Sequence, residues 1–241
     1  MLYNKKSIFY YLTYVGQYTL LFLLVIAIEQ YTDLDIWLES FFYDSTTKTW
    51  YISKALHKGL LGTLVYRGYK DILIVTGIIA FLLLIYYSIQ RKHEQTIALI
   101  KYIVALISIP LIVALLKPIT NIYCPTQLSL FGGFAPYVRI FESYPSWFAQ
   151  PHGRCFPAGH ATSGFFLIIT YYILQDSKYA RYKWCGLVIG LLLGWISGLY
   201  QMARGEHFLS HTLATMVLSF FGAWCINEVV NAVSRKMYAS H

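Results

Sequence analysis

Three separated segments of this chain carry side chains suited to binding and attacking an anion. Lys117 stands just before Pro118, Arg154-Cys155-Phe156-Pro157-Ala158-Gly159-His160 follows, and Arg204-Gly205-Glu206-His207-Phe208-Leu209-Ser210-His211 comes last. Lys117, Arg154 and Arg204 supply cations. Pro157-Ala158-Gly159 reads as the start of a helix, where unpaired N–H groups point outward and a glycine lets the backbone come close to a ligand. Cations, a positive helix end and a guanidinium able to grip two oxygens at once suit a phosphate group. His160 and His207 would face that phosphate from different helices. Imidazole, with a reference pKa of about 6.5, serves as a nucleophile in one protonation state and as a proton donor in the other. His211 lies four residues beyond His207, on the same helical face one turn on, where a hydrogen bond could fix the tautomer of the first ring. Glu206 is turned about 100 degrees from His207 on a helix, and so faces elsewhere unless the helix begins only at His207.

A membrane must hold these segments in place. Of 241 residues, 57% are hydrophobic and 12% charged, whereas soluble domains have about a quarter charged. The net charge of +8 comes from basic residues scattered between apolar runs rather than from a dense basic face, which argues against a nucleic-acid partner. Four cysteines do not make a disulfide scaffold. A helix needs about 20 mostly apolar residues to cross the hydrocarbon core. Six stretches qualify or nearly so, over residues 7–28, 72–89, 96–116, 157–174, 184–203 and 208–226. The first follows Lys5 and Lys6 like a signal sequence, but its apolar run is longer than a signal core and no small-x-small site follows Ile28, so it is expected to remain as a span. The expectation is an all-α fold, a six-transmembrane-helix bundle forming a single integral membrane domain over residues 1–241.

Orientation follows from the short basic connections, which stay on the cytoplasmic side. Lys5 and Lys6, Arg91 and Lys92, Lys178, Arg181 and Lys183, and Arg235 and Lys236 share one side if there are six spans, and both termini are then cytoplasmic. The opposite face receives the connections from Glu29 to Asp71, from Lys117 to Phe156 and from Arg204 to Glu206. The first of these also carries Lys48, Lys54, Lys58, Arg67 and Lys70, but long loops count less in the rule. Threaded this way, the three chemical segments converge at one membrane face.

In order and spacing these residues resemble the type 2 phosphatidic acid phosphatase (PAP2) superfamily, membrane lipid-phosphate phosphatases that share a helical core with vanadium haloperoxidases. Its pattern is Lys-x6-Arg-Pro, then Pro-Ser-Gly-His, then Ser-Arg-x5-His-x3-Asp. Here Lys117 is followed after six residues by Cys124-Pro125, Pro157-Ala158-Gly159-His160 matches the second part, and His207-x3-His211 matches the end of the third. The resemblance covers about residues 97–226. It departs at Cys124 for the first arginine, Ala158 for the serine, Gln201 for the second arginine and His211 for the aspartate. Arg204, three residues after Gln201, and Arg154 are expected to bring the missing charges by other routes. The resemblance implies phosphoryl transfer without metal or other cofactor. His207 attacks phosphorus, His160 protonates the leaving oxygen, His211 orients His207, and Lys117, Arg154, Gly159 and Arg204 hold the phosphate oxygens.

Other features have plainer readings. Gly186, Gly190, Gly194 and Gly198 make a stripe for close helix packing. His93, His152 and His241 read as ordinary loop or tail residues, and Lys54, His57 and Lys58 as a solvated helix face. Tyr137, Phe141, Tyr144, Trp147 and Phe148 suggest an interfacial belt, and Gly132-Gly133 a turn. A metal held by His160, His207 and His211 is disfavoured because the surrounding cations repel it. Cys124 and Cys155 lie in one outward loop, and in an oxidising periplasm a disulfide between them would tie the Lys117 segment to the His160 segment.

Taken together, the expected protein is a phosphatase of the bacterial inner membrane with its site facing the periplasm and lipids as its partners. By resemblance the candidate substrates are lipid A, undecaprenyl pyrophosphate and phosphatidylglycerol phosphate. A lipid phosphotransferase stands as the alternative within the enzyme class, and a small transporter or silent lipid-binding protein outside it. A transporter should break its helices at mid-membrane, where the spans here offer only Lys101 and Pro110.

Overall fold

The computed structural model describes residues 7–149 and 151–239; Lys5, Lys6 and His241 lie outside the described residues. In chain order the helices are α1 (Ile8–Tyr31), α2 (Leu34–Ser40), α3 (Lys54–Lys58), α4 (Leu60–Gly62), α5 (Tyr69–Ile89), α6 (His93–Thr120), α7 (Thr162–Phe165), α8 (Ile169–Gln175), α9 (Lys183–Met202) and α10 (Leu209–Ala239). A π-helical turn, Thr63–Gly68, precedes α5, and a 3₁₀ turn, Phe166–Ile168, joins α7 to α8. Between α2 and α3 a two-stranded antiparallel ribbon pairs Tyr43–Asp44 with Thr49–Trp50. The fold is all-helical apart from this ribbon.

Among the described residues five helices, α1, α5, α6, α9 and α10, are long and apolar enough to cross a membrane, which makes this a multi-pass membrane protein. The fourth expected span is shorter than foreseen, covering Thr162–Gln175. Residues 156–158 do not join the helix because neighbours take up their backbone groups. Thr120 Oγ1 donates to Phe156 O at 2.8 Å and Thr215 Oγ1 to Ala158 O at 2.9 Å, while Ala158 N donates to His211 O at 3.1 Å. The segment nonetheless runs most of the bundle's depth. Gly159 sits beside Lys117 at one end of α6, and Asp176 pairs with Lys101 near the other, a separation of about 24 Å along the helix. The 3₁₀ turn helps a short segment span this length, since it rises about 2.0 Å per residue. Phe165, Phe166, Ile168 and Ile169 are fully buried in the main core, with Ala105 and Ile109 of α6 and Ala223 of α10.

The glycine stripe of α9 is the seam against this buried segment. A Cβ on Gly164 would come within 2.1 Å of the Gly194 nitrogen, and one on Gly194 within 2.1 Å of the Phe165 ring. Only residues lacking side chains allow this approach.

The three connections expected on one face pack together at one end of the bundle. Ile52 N donates to Ala203 O at 3.0 Å and Thr126 N to Gly205 O at 2.8 Å. Arg139 reaches Gln30 O and Asp33, each at 2.6 Å. Asp35 on α2 accepts from Ser210 N at 2.9 Å and from the Ser210 hydroxyl, so it caps the first turn of α10 from another element. At the opposite end Lys101, 1% exposed, donates to Asp176 at 2.6 Å and to Asn227 at 2.7 Å. This pairing compensates the charge of Lys101 at helix depth.

Candidate active site

Lys117 lies in the last turn of α6, directed along the face where Gly159 passes. A Cβ on Gly159 would stand 3.0 Å from Lys117 Nζ, so the ammonium rests against bare backbone. Gly159 and His160 occupy the turn before α7 rather than the first turn of a helix, a correction to the sequence expectation. The His160 carbonyl accepts from Ser163 and, at 3.1 Å, from Ser197 on α9.

His207 precedes α10 by two residues and is 3% exposed; His211, in its first turn, is 1% exposed. The ring centroids of His160 and His207 are 6.0 Å apart, and those of His207 and His211 are 5.8 Å apart. The rings of His207 and His211 stand near edge-on, and no hydrogen bond joins them among the described residues. His207 Nδ1 lies 3.3 Å from Cys155 Sγ, and Cys155 is disulfide-bonded to Cys124 with Cα atoms 5.1 Å apart. A disulfide sulfur carries no proton, so the ring nitrogen is the donor and Nε2 keeps its lone pair. His211 is instead wedged edge-on between Phe156 and Phe208.

Burial is the main reason His160 is pushed down to about 4, helped by Lys117, Arg204 and His57. Burial also holds His207 well below its ordinary value, with His211, Lys117 and His160 adding to it. Burial thus favours the neutral form of both rings, as attack by an imidazole would require.

The cations divide. Arg204 turns inward, donating to Gln201 Oε1 at 2.7 Å and to Glu206 Oε1 at 3.2 Å, and lies over the rings of Tyr66 and Tyr200. Gln201, at the position where the family pattern has an arginine, thus anchors Arg204. Glu206 does not face away, because α10 begins only at Leu209 and the preceding loop is free to turn the carboxylate toward Arg204. Arg154 is exposed and contributes nothing to the field that shifts His160. Its short tether between buried Gly153 and buried Cys155 leaves it on the outer surface.

Sequence reasoning missed three residues here. Tyr66, on the π turn, hydrogen-bonds His160 Nε2 at 3.1 Å. His57, read as part of a solvated face, bonds Tyr200 through Nδ1 at 2.8 Å and meets the Tyr66 ring edge-on at 5.1 Å. The aromatic loop also divides. Tyr123, Phe134, Tyr144 and Phe148 pack on one another, while Phe141 and Trp147 are exposed.

Among the described residues, Cys124, Cys155 and His207 bring potential metal-ligand atoms within 4.8 Å of one another. The bonded sulfurs offer no thiolate, so this group does not fit a metal in its oxidised form. The remaining arrangement, two neutral imidazoles flanked by Lys117 and Arg204, suits nucleophilic attack on an oxyanion-bearing phosphorus. Comparison with curated proteins finds no match, and neither does comparison with solved structures. A family model described as the PAP2 superfamily matches residues 98–235, more than half of the chain and all three segments of the site, so the chain belongs to the PAP2 superfamily.

Proposed function

We propose that this protein is a membrane lipid phosphatase that releases phosphate from a lipid phosphate or pyrophosphate through a phosphohistidine. The observation that carries this reading is the 6.0 Å spacing of the His160 and His207 rings, with the Lys117 ammonium against Gly159 beside them. Two imidazoles at that spacing can both reach one phosphoryl group placed before them. His207 Nε2 attacks phosphorus while Nδ1–H stays directed at Cys155. The bond from phosphorus to the leaving oxygen breaks, and His160 gives that oxygen its proton. An anionic substrate raises the proton affinity of His160 as it binds, opposing the effect of Lys117 and Arg204 in the empty pocket. Water then cleaves the phosphorus–nitrogen bond, with His160 taking its proton. Lys117, the Gly159 N–H and Arg204 balance charge on the equatorial oxygens. The basic connections support a bacterial inner-membrane setting with the site on the periplasmic side.

Purified protein is given a panel of lipid phosphates and free phosphate is measured with and without chelator. Release unaffected by chelator, an acid-labile phosphoryl adduct on the wild type, and a loss of at least about 10³-fold in His207→Ala support the proposal. Substantial turnover in His207→Ala overturns it. Disappearance of substrate without free phosphate would instead identify transfer to a second lipid.

A further inference from the structure

The Cys124–Cys155 bridge does not hold its two segments together by itself. Cys155 N donates to Ile122 O at 2.8 Å, and Gly153 N donates to Asn121 Oδ1 at 2.8 Å. Thr126 N donates to Gly205 O at 2.8 Å, which ties the Cys124 segment to the loop carrying His207. None of these bonds needs the sulfurs to be joined. With the bridge cut, they keep the two Cα atoms, 5.1 Å apart in the oxidised protein, from separating.

What remains is a set of soft ligands. Cys124 Sγ, Cys155 Sγ and a ring nitrogen of His207 lie within 4.8 Å of one another. The nitrogen facing Cys155 Sγ is Nδ1, at 3.3 Å. Bond lengths on a tetrahedral Zn2+ put a thiolate and an imidazole nitrogen about 3.6 Å apart and two thiolates about 3.8 Å apart. The His207 contact is already close to that spacing, and side-chain rotation parts the two sulfurs. Lys117 disfavours a metal on three neutral imidazoles, but here two thiolates match the two positive charges of the ion. In the reduced, metal-free protein the Cys155 thiol donates to Glu206 O, 2.8 Å from the sulfur.

We infer that reduction of the Cys124–Cys155 disulfide uncovers a Zn2+ site made of the two sulfurs and His207 Nδ1, and that the ion switches the proposed nucleophile off. The site stands on its own; the switch rests on the phosphatase reading above. Cys124 is half-buried and Cys155 fully buried, so a reductant meets Cys124 first. One thiolate of a dithiol attacks Cys124 Sγ and Cys155 leaves as the thiolate. The second thiol then displaces Cys124 and closes a disulfide in the reductant, whose two protons end on the cysteines. Zn2+ releases those two protons as it binds. A metal on Nδ1 uses the lone pair of that nitrogen, so the single proton of the neutral ring moves to Nε2. Nε2 then has no lone pair with which to attack phosphorus.

The test uses full-length, untagged protein in detergent, either oxidised or reduced with a phosphine, which competes less for zinc than a dithiol does. Equilibrium dialysis should show one Zn2+ bound per reduced chain, at least about 100-fold more tightly than to the oxidised protein and at least about tenfold more weakly in His207→Gln, since even groups that only support metal ligands are worth 10- to 100-fold in affinity. Co2+ in the reduced protein should give the visible bands of a tetrahedral ion with a thiolate charge-transfer band, the latter missing when Cys124→Ser and Cys155→Ser are combined. Phosphate release by the reduced protein should fall a further tenfold or more, on the order of a lost nucleophile lone pair, under saturating Zn2+ and return with a chelator. That return shows the fold intact; the oxidised protein should ignore Zn2+. Equal zinc affinity in both redox states, affinity that His207→Gln leaves unchanged, or equal release by zinc-loaded and zinc-free reduced protein overturns the inference. Reduction-dependent binding with the expected ligands, in a protein releasing no phosphate from any lipid, would sink the phosphatase reading while sustaining the metal site.

Discussion

His207 Nδ1 and Cys155 Sγ lie 3.3 Å apart, and through Cys155 the proposed nucleophile is tied to Cys124, only seven residues beyond Lys117 in sequence. The disulfide therefore does two things: it closes the outer loop and gives the nucleophile's ring a fixed neighbour. Reduction, or Cys124→Ser with Cys155→Ser, should lower stability by about 3 kcal/mol. It should also lower kcat on the order of 10- to 100-fold, since small displacements of a reacting group are costly. Melting curves and phosphate release with and without a reductant check both; unchanged kcat on complete reduction would remove Cys155 from the positioning of His207.

The two arginines expected from sequence should behave oppositely. Arg204→Ala removes an inward-facing charge held by Gln201 and Glu206, and kcat/KM should fall on the order of 10²-fold. Arg154→Ala alters an exposed side chain and should leave it within about twofold. Steady-state kinetics on both variants decide the assignment, and reversed effects would redraw the pocket.

His211→Asp restores the family's residue at a position 5.8 Å from the His207 ring. A carboxylate there would favour the protonated form of His207, so the acidic limb of the kcat/KM profile should move to higher pH by about one unit. A profile identical to the wild type would mean that position 211 is electrostatically silent.

His160 makes folding pH-dependent with a definite sign. Its folded value of about 4 lies below the ordinary 6.5, so between those limits the unfolded chain binds a proton that the folded chain refuses. Stability from this residue is fully present above about pH 6.5, falls as the pH drops toward 4, and levels off below. Thermal melts of the wild type and His160→Gln across this range should show a shallower slope in the variant.

At the far end of the bundle, Lys101→Met would remove the ammonium that Asp176 and Asn227 share, although Asn231 still donates to both. The expected loss is about 2–3 kcal/mol, less than for a fully buried pair because Asp176 is a quarter exposed. Asp176→Asn should cost at least as much, since it removes the charge opposite an ammonium that is 1% exposed. Denaturation in detergent measures both, with kcat expected to stay near the wild-type value at this distance from the histidines.

Composition and apolar run length by themselves determined that the chain is helical and embedded in lipid, because a helix that satisfies its own backbone is the form such runs can take in hydrocarbon. Spacing alone likewise singled out Lys117, His160, His207 and His211 as residues of one chemistry. The fourth segment was legible as apolar but not in length, since the backbone at its start donates to His211 O and accepts from Thr215, with Thr120 donating to Phe156 just before it, partners remote in sequence. The same remoteness explains the rest. Arg154 and Arg204 look equivalent along the chain, and only the packing of Gln201, Tyr66 and Tyr200 turns one inward while the other stays outside. Tyr66 carried no periodic signal, because a turn has no repeating face to reveal which side chain points at a histidine nearly a hundred residues away, and the helix face of His57 did not reveal its bond to Tyr200 on α9. Local patterns record what a segment needs from its surroundings; which groups answer that need is settled by contacts between distant parts of the chain.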